Sequence, residues 1–143
     1  VSAPPLLRIR FQAQASKLAD VRAVVQRVLN GAGVAAREVA RMVLALDEAC
    51  ANVIRHAYHN CGEGQIDLSI ECRRGALRFR LRDRAPAVDP GCIKPRDLSD
   101  CRPGGLGINI IDETMDRWRV RPLKSRRGNV LTMCRKLRAR KES

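Results

Sequence analysis

Leu46-Asp47-Glu48-Ala49-Cys50-Ala51-Asn52-Val53-Ile54-Arg55-His56-Ala57-Tyr58 is the stretch on which the fold turns. It closes a helical pattern predicted from Arg37 to Tyr58. Val39, Val43, Leu46, Cys50, Val53 and Ala57 recur there every three or four residues and make one apolar stripe. Glu48 and Asn52 are four apart, so their side chains lie one above the other. At about 100° per residue they point roughly away from the stripe, where they can face a ligand. Taken alone, such a pair is more commonly a solvated polar pair.

Working outward, the flanking segments alternate. Leu7, Ile9 and Phe11 mark a half-buried strand within Leu6 to Ala13. Ser16 reads as an N-cap. Leu18, Val21, Val25, Val28 and Leu29 follow at helical spacing, and Asn30-Gly31-Ala32-Gly33 stops that helix. After the central helix, Ile66, Leu68 and Ile70 alternate, Arg73-Arg74-Gly75 turns, and Leu77, Phe79 and Leu81 alternate again: an antiparallel hairpin. Residues 86–105, rich in Pro and Gly, read as a lid-like loop. A third helix is predicted from Leu106 to Asp116. A last hairpin joins Trp118–Leu123 to Asn129–Leu137, and the basic tail 138–143 should fray. This order predicts a single α+β domain over 1–143, a two-layer sandwich with a mixed, mostly antiparallel sheet and three helices on one face.

Two further segments carry chemistry. Leu81-Arg82-Asp83-Arg84-Ala85-Pro86-Ala87-Val88-Asp89-Pro90 puts a carboxylate at a strand end. An ionised carboxylate only accepts, so it suits an exocyclic amine; a turn-starting Asp is the plainer reading. In Pro103-Gly104-Gly105-Leu106-Gly107-Ile108-Asn109 a glycine-rich turn opens into a helix. Its free N–H groups suit phosphate, although an ordinary helix cap has the same pattern.

Together and in this order, the three segments resemble the anti-sigma-factor serine kinases of bacterial partner-switching modules. That family belongs to the histidine-kinase-like ATPase superfamily, with gyrase and the mismatch-repair protein MutL. The resemblance covers nearly the whole chain. Glu48 to Asn52 with His56-Ala57-Tyr58 looks like the family's N box. Asp83 to Pro90 looks like a degenerate first glycine box, with Ala85 and Ala87 in place of its glycines, and Gly105-Leu106-Gly107 looks like the second. The resemblance implies ATP and Mg²⁺ as cofactors, held between the long helix and the lid. It implies that Asn52 ligates Mg²⁺ and that Glu48 orients or deprotonates the attacking hydroxyl. Asp83 would bond the adenine amine, and Ala87, in the same box, would count among the nucleotide-binding positions. Gly105, Leu106 and Gly107 would offer N–H groups to the phosphates. Thr132, on the last strand, stands where relatives often carry a hydroxyl near adenine; a cross-strand Thr is the blander alternative. The implied partners are a STAS-type anti-sigma-factor antagonist, phosphorylated on serine, and a sigma factor or other effector. A homodimer is expected from the resemblance only. Arg55 and Arg102 could reach phosphate oxygens, although an exposed Arg needs no explanation; His56 could contact nucleotide or a partner, but reads better as a packed histidine with a backbone bond. The altered glycines leave open a non-catalytic, nucleotide-sensing sequestration module.

Composition bounds these readings. The chain has 143 residues, 28 Lys+Arg against 15 Asp+Glu and a net charge of +13. Only Phe11, Tyr58, Phe79 and Trp118 are aromatic, so a base-stacking platform is not expected and nucleic acid is a weak alternative. The charge is concentrated: from Arg117 to Lys141 there are basic residues and no acidic one. Alternation puts part of it on an outer sheet face, a docking surface for an acidic protein or nucleic acid, or simply a solvated face. The six cysteines contain no Cys-x-x-Cys pair, so scattered free thiols are expected. No apolar run approaches a membrane span, and Val1 to Pro5 does not read as a signal peptide. The expectation is a cytoplasmic protein.

Overall fold

Alternation builds the sheet. The computed structural model describes residues 4–60, 62–85, 105–124 and 127–137, with residues 105–108 described by their backbone alone. Five strands, β1 (Leu7–Gln12), β2 (Gln65–Arg73), β3 (Ala76–Arg82), β4 (Arg117–Pro122) and β5 (Asn129–Lys136), lie in the order β1-β2-β3-β5-β4. Every pairing is antiparallel, so the expected mixed sheet is wholly antiparallel among the described residues. Ile66, Leu68, Ile70, Leu77, Phe79, Leu81, Leu131 and Met133 are buried and share one face. Three helices supply the rest of the core: α1 (Leu18–Gly31), α2 (Ala36–Asn52) and α3 (Gly105–Thr114). Helix α2 packs against both α1 and α3. Met42, Ala45 and Ala49 are therefore buried along with the predicted stripe residues Val39, Leu46 and Cys50. The result is the two-layer α+β arrangement read from the sequence.

Local chemistry explains the boundaries. Arg74 (φ 51) and Gly75 (φ 75) form the two-residue turn between β2 and β3; positive φ at both positions matches the strand twist. Helix α1 ends with the Gly33 N–H on the Asn30 carbonyl and the Val34 N–H on the Leu29 carbonyl, with Gly33 left-handed. Its start differs from expectation. Ser16 lies inside a 3-10 turn, Ala15–Lys17, and no side chain caps that turn or α1. Helix α3 begins at Gly105 and stops at Thr114, short of the expected Asp116. The Asp116 N–H instead bonds the Cys134 carbonyl, and its carboxylate accepts the Lys136 N–H, which commits it to the sheet.

Of the segment 86–105 expected to form a lid, Gly105 opens α3, and the remainder, with Ala87 and Arg102, lies outside the described residues, as does the tail 138–143. Cys50, Cys72 and Cys134 are free thiols. Among the described residues no helix is long and apolar enough to cross a membrane.

Candidate functional site

The α-helical pattern expected to reach Tyr58 stops at Asn52. Val53–Ala57 forms one π-helical turn, in which the Tyr58 N–H bonds the Val53 carbonyl five residues back at 3.1 Å. Such turns are rare and often sit at functional sites. Glu48 and Asn52 are half-buried on the last two turns of α2. Arg55 Nη2 donates to Asn52 Oδ1 at 3.0 Å and lies 4.0 Å from Glu48 Oε2. Asn52 Nδ2 and Arg55 Nε are buried with no partner among the described residues. A buried polar atom without a bond is costly, so this end of α2 holds unused hydrogen-bonding capacity. His56 is exposed, which corrects the packed histidine expected there.

The π turn aims Tyr58 at the sheet. Its hydroxyl donates to the Gln65 carbonyl at 2.7 Å and accepts the Arg84 N–H at 2.7 Å. The ring lies so close to Gly64 that a Cβ there would meet it at 2.3 Å, so only glycine fits. Tyr58 thus ties the end of α2 to the residue after Asp83.

Asp83 follows Arg82 at the end of β3, and alternation turns it to the helix side. It is 4% exposed, one of two buried polar residues among those described; the other is Asn129 at 2%. Asp83 Oδ1 accepts the Ala85 N–H at 2.9 Å and Asn129 Nδ2 at 3.0 Å. Burial pushes the Asp83 carboxyl above the ordinary carboxylate range, while hydrogen bonds from Ala85 and from the side chain and backbone of Asn129 oppose the rise. Gly128 is left-handed (φ 132), and a Cβ there would lie 2.2 Å from the Asp83 carbonyl oxygen. The β5 entry can therefore approach Asp83 only through a glycine. Ala85, read as a replaced glycine, is buried and absent from the non-glycine residues of positive φ (His59, Asn60 and Arg74), so its methyl is accommodated without backbone strain.

Asn129 was missed in the sequence, although its parity with Leu131 and Met133 gave the signal. The same parity moves Thr132 away. Thr132 pairs with Arg80 on one side and Arg119 on the other, on the helix-free face, so it shares no face with Asp83. This corrects its expected place near adenine. Gly105, Leu106 and Gly107 form the first turn of α3, where N–H groups have no intrahelical partner. Because α3 packs on α2, the structure brings this turn's helix beside the one carrying Glu48 and Asn52. Glu48, Asn52, Asp83 and the first turn of α3 therefore share the helix side of the sheet, Ala87 lies outside the described residues, and Thr132 lies on the opposite face.

A model of the histidine kinase-like ATPase domain family matches residues 11–135. The serine-protein kinase RsbW of Halalkalibacterium halodurans is 25% identical over 93% of this chain and 84% of its own. The RsbW of Bacillus cereus (strain 03BB102) is 27% identical over 77% and 73%. Among solved structures, the RsbU and RsbW domains of a Mycobacterium tuberculosis protein superpose with a TM-score of 0.66 at 19% identity, covering 94% of this chain and 32% of that one. The catalytic domain of the histidine kinase ThkA gives 0.55 at 14%, covering 92% and 96%. These structural likenesses concern the fold, and this chain spans about a third of the chain that holds both Mycobacterium domains. Since the family match runs from within β1 to within β5, the chain belongs to the histidine kinase-like ATPase domain family.

Proposed function

We propose that the protein is an ATP-dependent protein-serine kinase acting in a cytoplasmic partner-switching module. The observation that carries the reading is the buried Asp83 acceptor, tied through Tyr58 to the helix end that holds Glu48 and Asn52. The relatives named serine-protein kinase support it. The donor set fits a nucleotide. A carboxylate held in a dry strand end selects an exocyclic amine. A glycine-opened helix start suits phosphate oxygens. Asn52 offers a neutral oxygen of the kind Mg²⁺ accepts alongside water.

Phosphoryl transfer asks a protein mainly for positioning and charge neutralisation. Bound Mg²⁺ supplies neutralisation of the phosphate oxygens. Asp83 fixes the base, and the first turn of α3 (Gly105, Leu106 and Gly107) orients the phosphates. Glu48, one turn before Asn52, accepts the proton of the attacking serine hydroxyl. Arg55 donates to the Asn52 oxygen at 3.0 Å; Asn52 is the residue that would hold the metal, and Arg55 beside it would add positive charge near the phosphates. The substrate is a serine on a STAS-type antagonist. A sigma factor or another effector is the sequestered partner, with nucleotide biasing which is held. Phosphorylation places charge on the antagonist's docking surface and expels it.

Glu48→Ala should lower phosphoserine formation on a cognate STAS protein by at least about a hundredfold while leaving ATP affinity within about threefold. Phosphoserine mass spectrometry and nucleotide titration read the two arms. Full transfer by the variant removes Glu48 from its role. ATP binding by the wild-type protein with no transfer to any antagonist favours the non-catalytic sequestration module.

A further inference from the structure

The helix-free face of the sheet has a pattern that nucleotide chemistry does not use. On β3, Arg78, Arg80 and Arg82 point outward; on β4, Arg117, Arg119 and Arg121 do the same. Between them β5 presents Cys134, Thr132 and Val130. The register aligns these as three cross-strand rows: Arg78–Cys134–Arg117, Arg80–Thr132–Arg119 and Arg82–Val130–Arg121. Two parallel walls of arginine therefore flank a floor of small uncharged side chains. The walls stand two strand spacings apart, about 9.6 Å, with arginines about 6.7 Å apart along each wall. Arg80, Arg117, Arg119 and Arg121 are exposed. Among the described residues the single carboxylate paired with any of the six is Glu71, on Arg78. Arg78 Nε and Arg82 Nε are buried without a partner.

We infer that this trough is a docking site for an acidic protein segment laid along β5. Charge complementarity selects the occupant: six clustered cations with one paired carboxylate among them repel one another, and carboxylates at strand-like spacing relieve both walls at once. The width admits one extended chain. A second copy of this chain would oppose arginine to arginine. Nucleic acid is the lesser fit, because no aromatic side chain lies on this face for a base to stack on.

The test is independent of the nucleotide site and uses the full chain. The probes are a 16-residue Glu/Ser alternating peptide and a single-stranded DNA oligonucleotide of equal charge, both at 150 mM salt. The trough variant is Arg80→Glu with Arg119→Glu. The control is Arg37→Glu with Arg41→Glu, an exposed pair on α2 that changes net charge equally. The peptide should bind the trough variant at least about tenfold more weakly than wild type, and the control within about threefold, with ATP affinity unchanged in both. Equal weakening by both variants reduces the trough to net charge and overturns the proposal. So does the absence of peptide binding to the wild-type protein. Tighter binding of the oligonucleotide than of the peptide, lost in the trough variant, assigns the face to nucleic acid instead.

Discussion

The two faces of this sheet are built from the same strands and have opposite chemistry. On the helix side, β2, β3 and β5 present Ile66, Leu68, Ile70, Leu77, Phe79, Leu81, Leu131 and Met133, all buried. The two polar residues buried there, Asp83 and Asn129, sit together at one end and bond each other. The opposite face carries arginines with little acid to match them. Two carboxylates make the contrast concrete. Burial holds the Asp83 carboxyl above its ordinary range, whereas the hydrogen bond from Arg78 holds that of the half-buried Glu71 below it. A polar group on the packed side must be explained by a partner or a ligand. A charge on the open side needs no explanation singly, and acquires meaning only through its pattern.

The contrast is broken most strongly by a truncation on the packed side. Phe79→Ala should cost about 3–5 kcal/mol in urea unfolding, since it leaves a cavity in the core. Arg80→Ala, the next residue along β3, should stay within about 0.5 kcal/mol. Similar losses at the two positions would contradict the assignment of faces. A smaller effect sharpens the link between helix and sheet. Tyr58→Phe keeps the ring against Gly64 but removes both hydroxyl bonds, and should cost about 1 kcal/mol. Because those bonds set the backbone beside Asp83, ATP affinity should fall several-fold as well. A stability loss with unchanged ATP affinity would make Tyr58 a packing residue only.

Much of this was legible in the residues, and what escaped has physical causes. The hairpin at Arg74-Gly75 and the helical stop at Gly33 follow from local rules. Glu48 with Asn52 and the strand-end Asp83 are legible because spacing alone fixes which side chains share a flank. Asn129 is not, because its meaning depends on β3 pairing with β5 across 46 residues. Thr132 was misplaced for a related reason: one residue of parity decides the face, and Leu131 and Met133 had already claimed the inner one. The π turn has no pattern in side-chain spacing. It is visible only in the carbonyls that Tyr58 and Asn60 reach, those of Val53 and Ile54.

Asp83 connects the packed face to the proposed activity, and its titration has a definite sign. Its folded-state pKa lies above the unfolded value of about 3.9, so the folded protein binds more protons between the two. Stability from this group therefore falls as pH rises through that window, and the ionised carboxylate is a burden at neutral pH. Glu71 runs the other way: its contribution is present above the unfolded value of about 4.3 and is lost as pH falls through its lowered folded value. Asp83→Asn removes the burden while its Oδ1 still accepts from Ala85 and Asn129. It also presents an NH₂ donor in place of a carboxylate oxygen, toward an adenine amine that is itself a donor.

The most direct measurement is ATP titration of the wild-type protein and Asp83→Asn at pH 7, alongside their thermal midpoints. The variant should bind ATP at least about tenfold more weakly, as expected for loss of a charge-assisted hydrogen bond, with a midpoint no lower than wild type. A variant that binds ATP as tightly as wild type would contradict the assignment of Asp83 as the base-reading carboxylate.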